Sequence, residues 1–168
     1  RELTGEAMFN EVFLDGVFVP DGCVVGEVDG GWTLARTTLA NERVAMAGSR
    51  LGDSVERALE LDGASEAVGR TAALATVVKL LATRATLRSL AGQGPGAESS
   101  VAKLVGVRSR QDAAELVVEL LGQWVLTDDE LARATMHELL LSRCLSIAGG
   151  TTQVLRNVAG ERILGLPR

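Results

Sequence analysis

Few side chains in this sequence are of a type that does chemistry, and their spacing narrows them further. There is one histidine, His137. It falls inside a helical pattern and reads as a surface or capping residue rather than a proton carrier. The two cysteines, Cys23 and Cys144, lie far apart and fit no metal-ligand spacing. They are expected to be small buried thiols in a reducing compartment, and no metal is expected. Glu42, followed directly by Arg43, sits in a helical stretch. On an acidic helical protein an isolated glutamate of this kind is ordinarily a solvated surface group. Held in the right place, its carboxylate could instead take a proton from a substrate. Near the end, Gly149-Gly150-Thr151-Thr152-Gln153 couples a helix-breaking pair to a capping residue. Thr151 reads first as a plain N-cap. The helix N-terminus it would open also suits a phosphate-bearing cofactor.

The chain that must position these groups has 168 residues, enough for one domain with a real core. Apolar residues make up 46% and aromatics only 3%. Ala, Leu and Val dominate, which favours packed helices over a sandwich or barrel. The net charge is −5 and the pI about 5.0. No basic stripe is interleaved with aromatics, so no nucleic-acid partner is expected. No apolar run is long enough to span a bilayer, and no signal-peptide pattern opens the chain. A cytoplasmic protein with no membrane association is the expectation. Because the first residue is Arg, the chain reads as a fragment or processed product.

The segment 9–20 carries all three Phe residues and reads as two short strands, Phe9–Asp15 and Gly16–Pro20, before the turn Pro20-Asp21-Gly22. Two strands alone are unstable, so this stretch must pack on something else. After Gly30-Gly31 the pattern becomes helical. A long first helix is predicted from Trp32 to about Leu61, with Leu34, Leu39, Val44, Leu51, Val55 and Leu59 on its apolar positions. Gly63 breaks it and Ser65 caps a second helix running to about Leu90. The connection 92–96 leads into a third helix, Glu98 to Leu121, ended by Gly122. Thr127-Asp128-Asp129-Glu130 has capping-box spacing and opens a fourth helix to about Leu145. Thr151 caps the last one, which ends near Leu164. The fold class is therefore all-α, with four or five antiparallel helices in an up-and-down bundle (residues 30–168) and a short β remnant with linker at residues 1–29.

Two stretches say more than a bundle can. One runs Asp15-Gly16-Val17-Phe18-Val19-Pro20, Gly26-Glu27-Val28-Asp29-Gly30-Gly31-Trp32 and Asn41-Glu42-Arg43. The other runs from Ile147 through Gly149-Gly150-Thr151-Thr152-Gln153 to Asn157, then from Glu161 to Arg168. In this order and at this separation they resemble the acyl-CoA dehydrogenase family. The resemblance covers essentially the whole chain but only the later part of a family member. A helical N-terminal domain and most of a middle β-domain precede it there.

The resemblance implies an FAD-dependent acyl-CoA dehydrogenase subunit whose isolated fragment is inactive. Its reaction removes an α-proton from an acyl-CoA thioester and passes the β-hydride to flavin. In one branch of the family the base is a Glu in the loop before the last helix. That position here is Gly149. In another branch the base lies on the first long helix before an Arg, which here is Glu42 before Arg43. The vacant side-chain space at Gly149 leaves room for the Glu42 carboxyl. The resemblance also implies that the Gly149 N–H donates to the thioester carbonyl, that Arg43 lies near the substrate channel, and that Thr151 and Gln153 contact the flavin. Electron-transfer flavoprotein is the implied redox partner.

The sequence departs from the family where a neighbouring subunit normally lends flavin contacts. The expected Arg-x-Phe-Gly segment is absent after Leu61, where Asp62-Gly63-Ala64-Ser65 stands. The expected Gln-x-x-Gly-Gly loop reads Glu119-Leu120-Leu121-Gly122-Gln123. A Glu near a flavin pyrophosphate is repulsive. The expected assembly is thus a hetero-oligomer, α2β2, with another acyl-CoA dehydrogenase subunit rather than a homotetramer. This arrangement is found in actinobacterial steroid-degrading members. The alternatives are a non-catalytic assembly subunit of the same fold and a helical interaction module. Trp32 and Trp124 read as packing or interface residues. The acyl chain is not specified, with a lean toward branched or bulky groups.

Overall fold

The computed structural model describes residues 1–46, 53–63 and 65–167, and the side chains of these except for residues 44–46. Among them are six α-helices: α1 (Gly31–Met46), α2 (Asp53–Leu61), α3 (Glu66–Leu90), α4 (Glu98–Leu121), α5 (Glu130–Leu141) and α6 (Thr152–Arg162). Short 3₁₀ turns at Asp21–Cys23, Gly122–Leu126 and Ser142–Ser146 complete the regular structure. The all-α class holds. The stretch predicted as one helix is helical at both ends, as α1 and α2. Residues 47–52, with Leu51 among them, lie outside the described residues. So do the side chain of Val44, Ala64 in the following loop, and Arg168.

Local sequence fixes most helix ends. Ser65 accepts a hydrogen bond from the Val68 N–H at 3.3 Å and opens α3. Gly122, with φ 55°, ends α4 in a conformation that glycine alone enters freely. The start of α5 differs from the capping-box expectation. Asp129, not Thr127, is the N-cap, accepting from the Leu131 N–H at 2.9 Å. Thr127 turns back to donate its hydroxyl to the Trp124 carbonyl. The last turn expected of α5 tightens into the 3₁₀ segment 142–146.

α4 is the axis of the bundle and packs against each of the other five helices. Its sequence explains how. Ser99, Ser100, Gly106, Ser109, Ala113 and Ala114 are all buried, and small residues let neighbouring helices approach from several sides. The core proper lies where α2, α3 and α4 meet. One cluster joins Ala58, Val68, Leu116 and Val117, and a second joins Val55, Ala75 and Ala113. Each fully buried Val or Leu there contributes about 1.5–3 kcal/mol. Polar ties add direction: Gln111 donates to the Ser142 carbonyl at 2.9 Å, and Arg110 forms a two-point ion pair with Glu138 between α4 and α5.

The N-terminal strands are not formed. Among the described residues there is no strand, and Phe9, Phe13 and Phe18 are almost fully exposed. A ladder needs a partner to take its backbone hydrogen bonds, and the helices offer none. The two cysteines also differ from expectation: both are free and exposed rather than buried. His137 is a surface residue as expected, 3.4 Å from the Glu6 carboxylate. Trp32 and Trp124 both project from the surface.

Candidate active site at the Gly149–Gly150 loop

The site draws on three parts of the chain: the C-terminal half of α1, the loop between α5 and α6, and α4. The loop is shaped by its own sequence. The Ile147 and Ala148 N–H groups both donate to the Cys144 carbonyl, and the Gly150 N–H donates to the Ile147 carbonyl. Gly149 has φ 65° and Gly150 φ 113°. Two successive residues in this half of φ space require glycine. Thr151 then caps α6, its hydroxyl accepting from the Val154 N–H at 3.3 Å. Leu155, fully buried, pins the first turn of α6 beneath the loop.

α1 reaches this loop through Arg43. Its Nε donates to the Gly149 carbonyl at 3.0 Å, a contact across 106 residues of sequence. The guanidinium lies over Gly150: a Cβ there would meet Arg43 Nη2 at 3.6 Å and Leu155 Cδ2 at 3.4 Å. Gly150→Ala should therefore destabilise the fold by about 1–3 kcal/mol through backbone strain. Denaturant titration of the variant measures it, and an unchanged midpoint would show the loop to be more adaptable than its dihedrals indicate.

Glu42, beside Arg43, is half-buried. Its charge is felt by Lys103, a residue the sequence reading passed over. Lys103 is 1% exposed, and its Nζ donates to the Gly150 carbonyl at 2.8 Å. Burial, and after it the Arg43 charge, hold the Lys103 ammonium below the ordinary lysine range, while the Glu42 carboxylate pulls the other way. Arg43, Lys103, Gly149 and Gly150 thus form one hydrogen-bonded cluster, with the Glu42 carboxylate near enough for its charge to act on Lys103. The signal that could have located Lys103 is its position in the α4 repeat. It is four residues from Ser99 and from Val107, and three from Ser100 and Gly106, all of which turn inward.

Within this cluster the Gly149 N–H is distinctive. Gly149 is buried, yet its N–H has no acceptor among the described residues, although the N–H groups on either side are paired. Buried backbone donors are nearly always satisfied, so an unpaired one is an available donor. The other two expected site residues divide. Thr151 borders the cluster as the cap of α6, whereas Gln153 is exposed on its first turn. A cavity of about 420 Å³ lies between α3, α4 and the start of α6. Lys103 and Thr152 are in its wall; Glu42, Arg43 and Gly149 are not. Among the described residues no group of side chains could hold a metal ion, and no helix is long and apolar enough to cross a membrane.

A family model described as "Acyl-CoA dehydrogenase, C-terminal domain" matches residues 29–164. The chain is 52% identical to the acyl-CoA dehydrogenase FadE34 of Mycobacterium tuberculosis over 176 residues, covering 100% of this chain and 24% of that protein. Among solved structures it is similar to the "Tcur3481-Tcur3483 steroid ACAD G363A variant", with a TM-score of 0.81 and 27% identity over 93% of this chain and 45% of that one. It is also similar to the ChsE4-ChsE5 complex from Mycobacterium tuberculosis, with a TM-score of 0.72 and 28% identity over 89% of this chain and 44% of that one. The chain thus spans about a quarter of that curated relative and less than half of either solved chain.

Proposed function

The chain belongs to the acyl-CoA dehydrogenase family through its C-terminal helical domain, and from that premise we propose that it is the base-bearing part of a flavin-dependent subunit that dehydrogenates acyl-CoA thioesters between Cα and Cβ. In this reading residues 30–168 form the helical domain. Residues 1–29, with their exposed Phe side chains, belong to the edge of a middle domain. The observation that carries the reading is the N–H of buried Gly149, which has no acceptor among the described residues, in the loop that Arg43 ties to α1.

The Glu42 carboxylate takes the α-proton as the C–H bond breaks. An α C–H is weakly acidic, so the negative charge that develops on the thioester oxygen must be met by a donor already in place. The Gly149 N–H is that donor, and among the described residues it has no competing bond to give up. Arg43 holds the loop through the Gly149 carbonyl, and in this reading it stands beside the substrate. A carboxylate on α1 and a glycine in the loop divide the work that a loop glutamate would otherwise do alone.

The residues present suit a flavin. α6 is 11 residues long, opens on Thr151 and presents an exposed Gln153 in its first turn. Bound FAD would accept the hydride leaving Cβ, with Thr151 and Gln153 holding it from this subunit. The opposite end of α4 suits a flavin poorly, since Glu119 and Gln123 are both exposed there. This favours an unlike neighbour that brings its own flavin contacts, and hence a hetero-oligomer. A relative solved as a two-component complex, ChsE4-ChsE5, fits that arrangement.

The full-length protein should copurify with a second dehydrogenase subunit and carry FAD, and the flavin absorbance should bleach when acyl-CoA is added without oxygen. Straight-chain, branched and bulky acyl-CoAs together test the substrate class. A complex with flavin that none of them bleaches would favour the non-catalytic assembly role. A homotetramer with four flavins would remove the case for an unlike partner.

A further inference from the structure

We propose that Lys103 is a positioning residue for the reaction: through the Gly150 carbonyl it holds the Gly149 N–H in the orientation that receives the thioester oxygen. The proposal rests on the dehydrogenase reading above. It starts from a difficulty in the loop. Gly149 and Gly150 have no side chains to pack, and glycine has more backbone freedom than any other residue. A donor that must meet a developing charge cannot be left to wander, because a displacement of about 1 Å at a reacting centre can cost a hundredfold in rate.

Two cationic side chains remove that freedom. Arg43 Nε takes the Gly149 carbonyl and Lys103 Nζ takes the Gly150 carbonyl. In a trans peptide the C=O and the N–H that follows it point in opposite directions. Fixing the Gly149 carbonyl therefore fixes the Gly150 N–H, which is found on the Ile147 carbonyl. On the other side, the Ala148 N–H is held by the Cys144 carbonyl. By the same rule Lys103, on the Gly150 carbonyl, fixes the Thr151 N–H and so the exit of the loop, and the Gly149 N–H is left within restrained backbone, oriented and without an acceptor among the described residues.

The two clamps differ in where they are rooted. Lys103 projects from α4, the helix that packs against all the others, so it ties the loop to the rigid centre of the bundle. Its burial argues for a purpose beyond packing. A methionine would fill much the same space without the cost of desolvating an ammonium, and apolar replacements of buried charges are often neutral or stabilising. What methionine cannot do is donate to a carbonyl.

The test uses the full-length protein with its partner subunit and FAD, with butyryl-, isobutyryl- and palmitoyl-CoA as probes. Wild type, Lys103→Met, Lys103→Gln and Glu42→Gln are compared for flavin content, acyl-CoA dissociation constant and single-turnover flavin reduction. The expected result for Lys103→Met is wild-type flavin content and affinity with reduction slowed about a hundredfold. Lys103→Gln, which keeps an N–H donor, should recover part of that loss. Reduction by Lys103→Met at the wild-type rate, or losses in both lysine variants that merely follow lost flavin, would overturn the clamp. If Lys103→Met does not assemble, the split between affinity and rate in Lys103→Gln decides on the same terms. The two readings fail differently. A wild-type flavin that no probe bleaches, or a fully active Glu42→Gln, defeats the dehydrogenase reading itself. An inert Glu42→Gln beside a fully active Lys103→Met defeats only the clamp.

Discussion

Replacing Glu42 by Gln in the full-length protein should slow flavin reduction by acyl-CoA by about 10²–10⁴-fold, the usual contribution of a positioned general base. Gln keeps the size and polarity of the side chain but cannot accept the α-proton. Acyl-CoA affinity should change little, because the carboxylate acts on the proton in transit rather than on the bound ground state. Flavin content should also be preserved, since Glu42→Gln leaves untouched the Arg43 bond to the loop and the Thr151 cap that opens α6. Stopped-flow anaerobic reduction separates these quantities. Wild-type reduction by Glu42→Gln would remove Glu42 as the base and leave the chain as an assembly subunit of the same fold.

The second large effect concerns the support beneath the loop. Leu155→Ala should destabilise the fold by about 2–5 kcal/mol. Leu155 is fully buried, and its Cδ2 lies within 3.4 Å of where a Cβ on Gly150 would be. Removing it leaves a cavity under Gly150 and loosens the first turn of α6. Chemical denaturation of the chain reads the first effect. In the full-length complex the same variant should also slow flavin reduction, because Gly150, next to the Gly149 N–H, loses its floor. A variant of undiminished stability would mean that the site collapses around the truncation without cost.

What could be read from the sequence follows from how local each determinant is. Ser65 and Thr151 cap their helices as expected, because an N-cap is decided within three residues. α3 and α4 end where Leu90 and Gly122 indicated. At α5 two capping patterns overlapped, and Asp129 prevailed over Thr127. The segment around Phe9, Phe13 and Phe18 had strand-like composition, but strands depend on a partner outside the segment. Lys103 was passed over for a related reason. A lone lysine in a helix is ordinarily solvated, and this one is buried by a bond to a carbonyl 47 residues away. Arg43 and Gly149 were each picked out through the family resemblance, but nothing in their spacing foretold the hydrogen bond between them.

Cys23 and Cys144 carry the same lesson in reverse. Free cysteine is usually buried, yet both lie at the surface, one in the N-terminal segment and one in the 3₁₀ turn after α5. Residue type alone predicts an average environment; the face of the element on which a residue falls decides the actual one.

In the proposed reaction Glu42 and the Gly149 N–H meet one substrate from two sides. A structure of the full-length complex with an acyl-CoA bound is the decisive measurement. A Glu42 carboxylate oxygen is expected against the substrate α-carbon, with the thioester oxygen within hydrogen-bond distance of the Gly149 N–H. A thioester seated elsewhere, with Glu42 turned into water and the Gly149 N–H satisfied by protein, would contradict it.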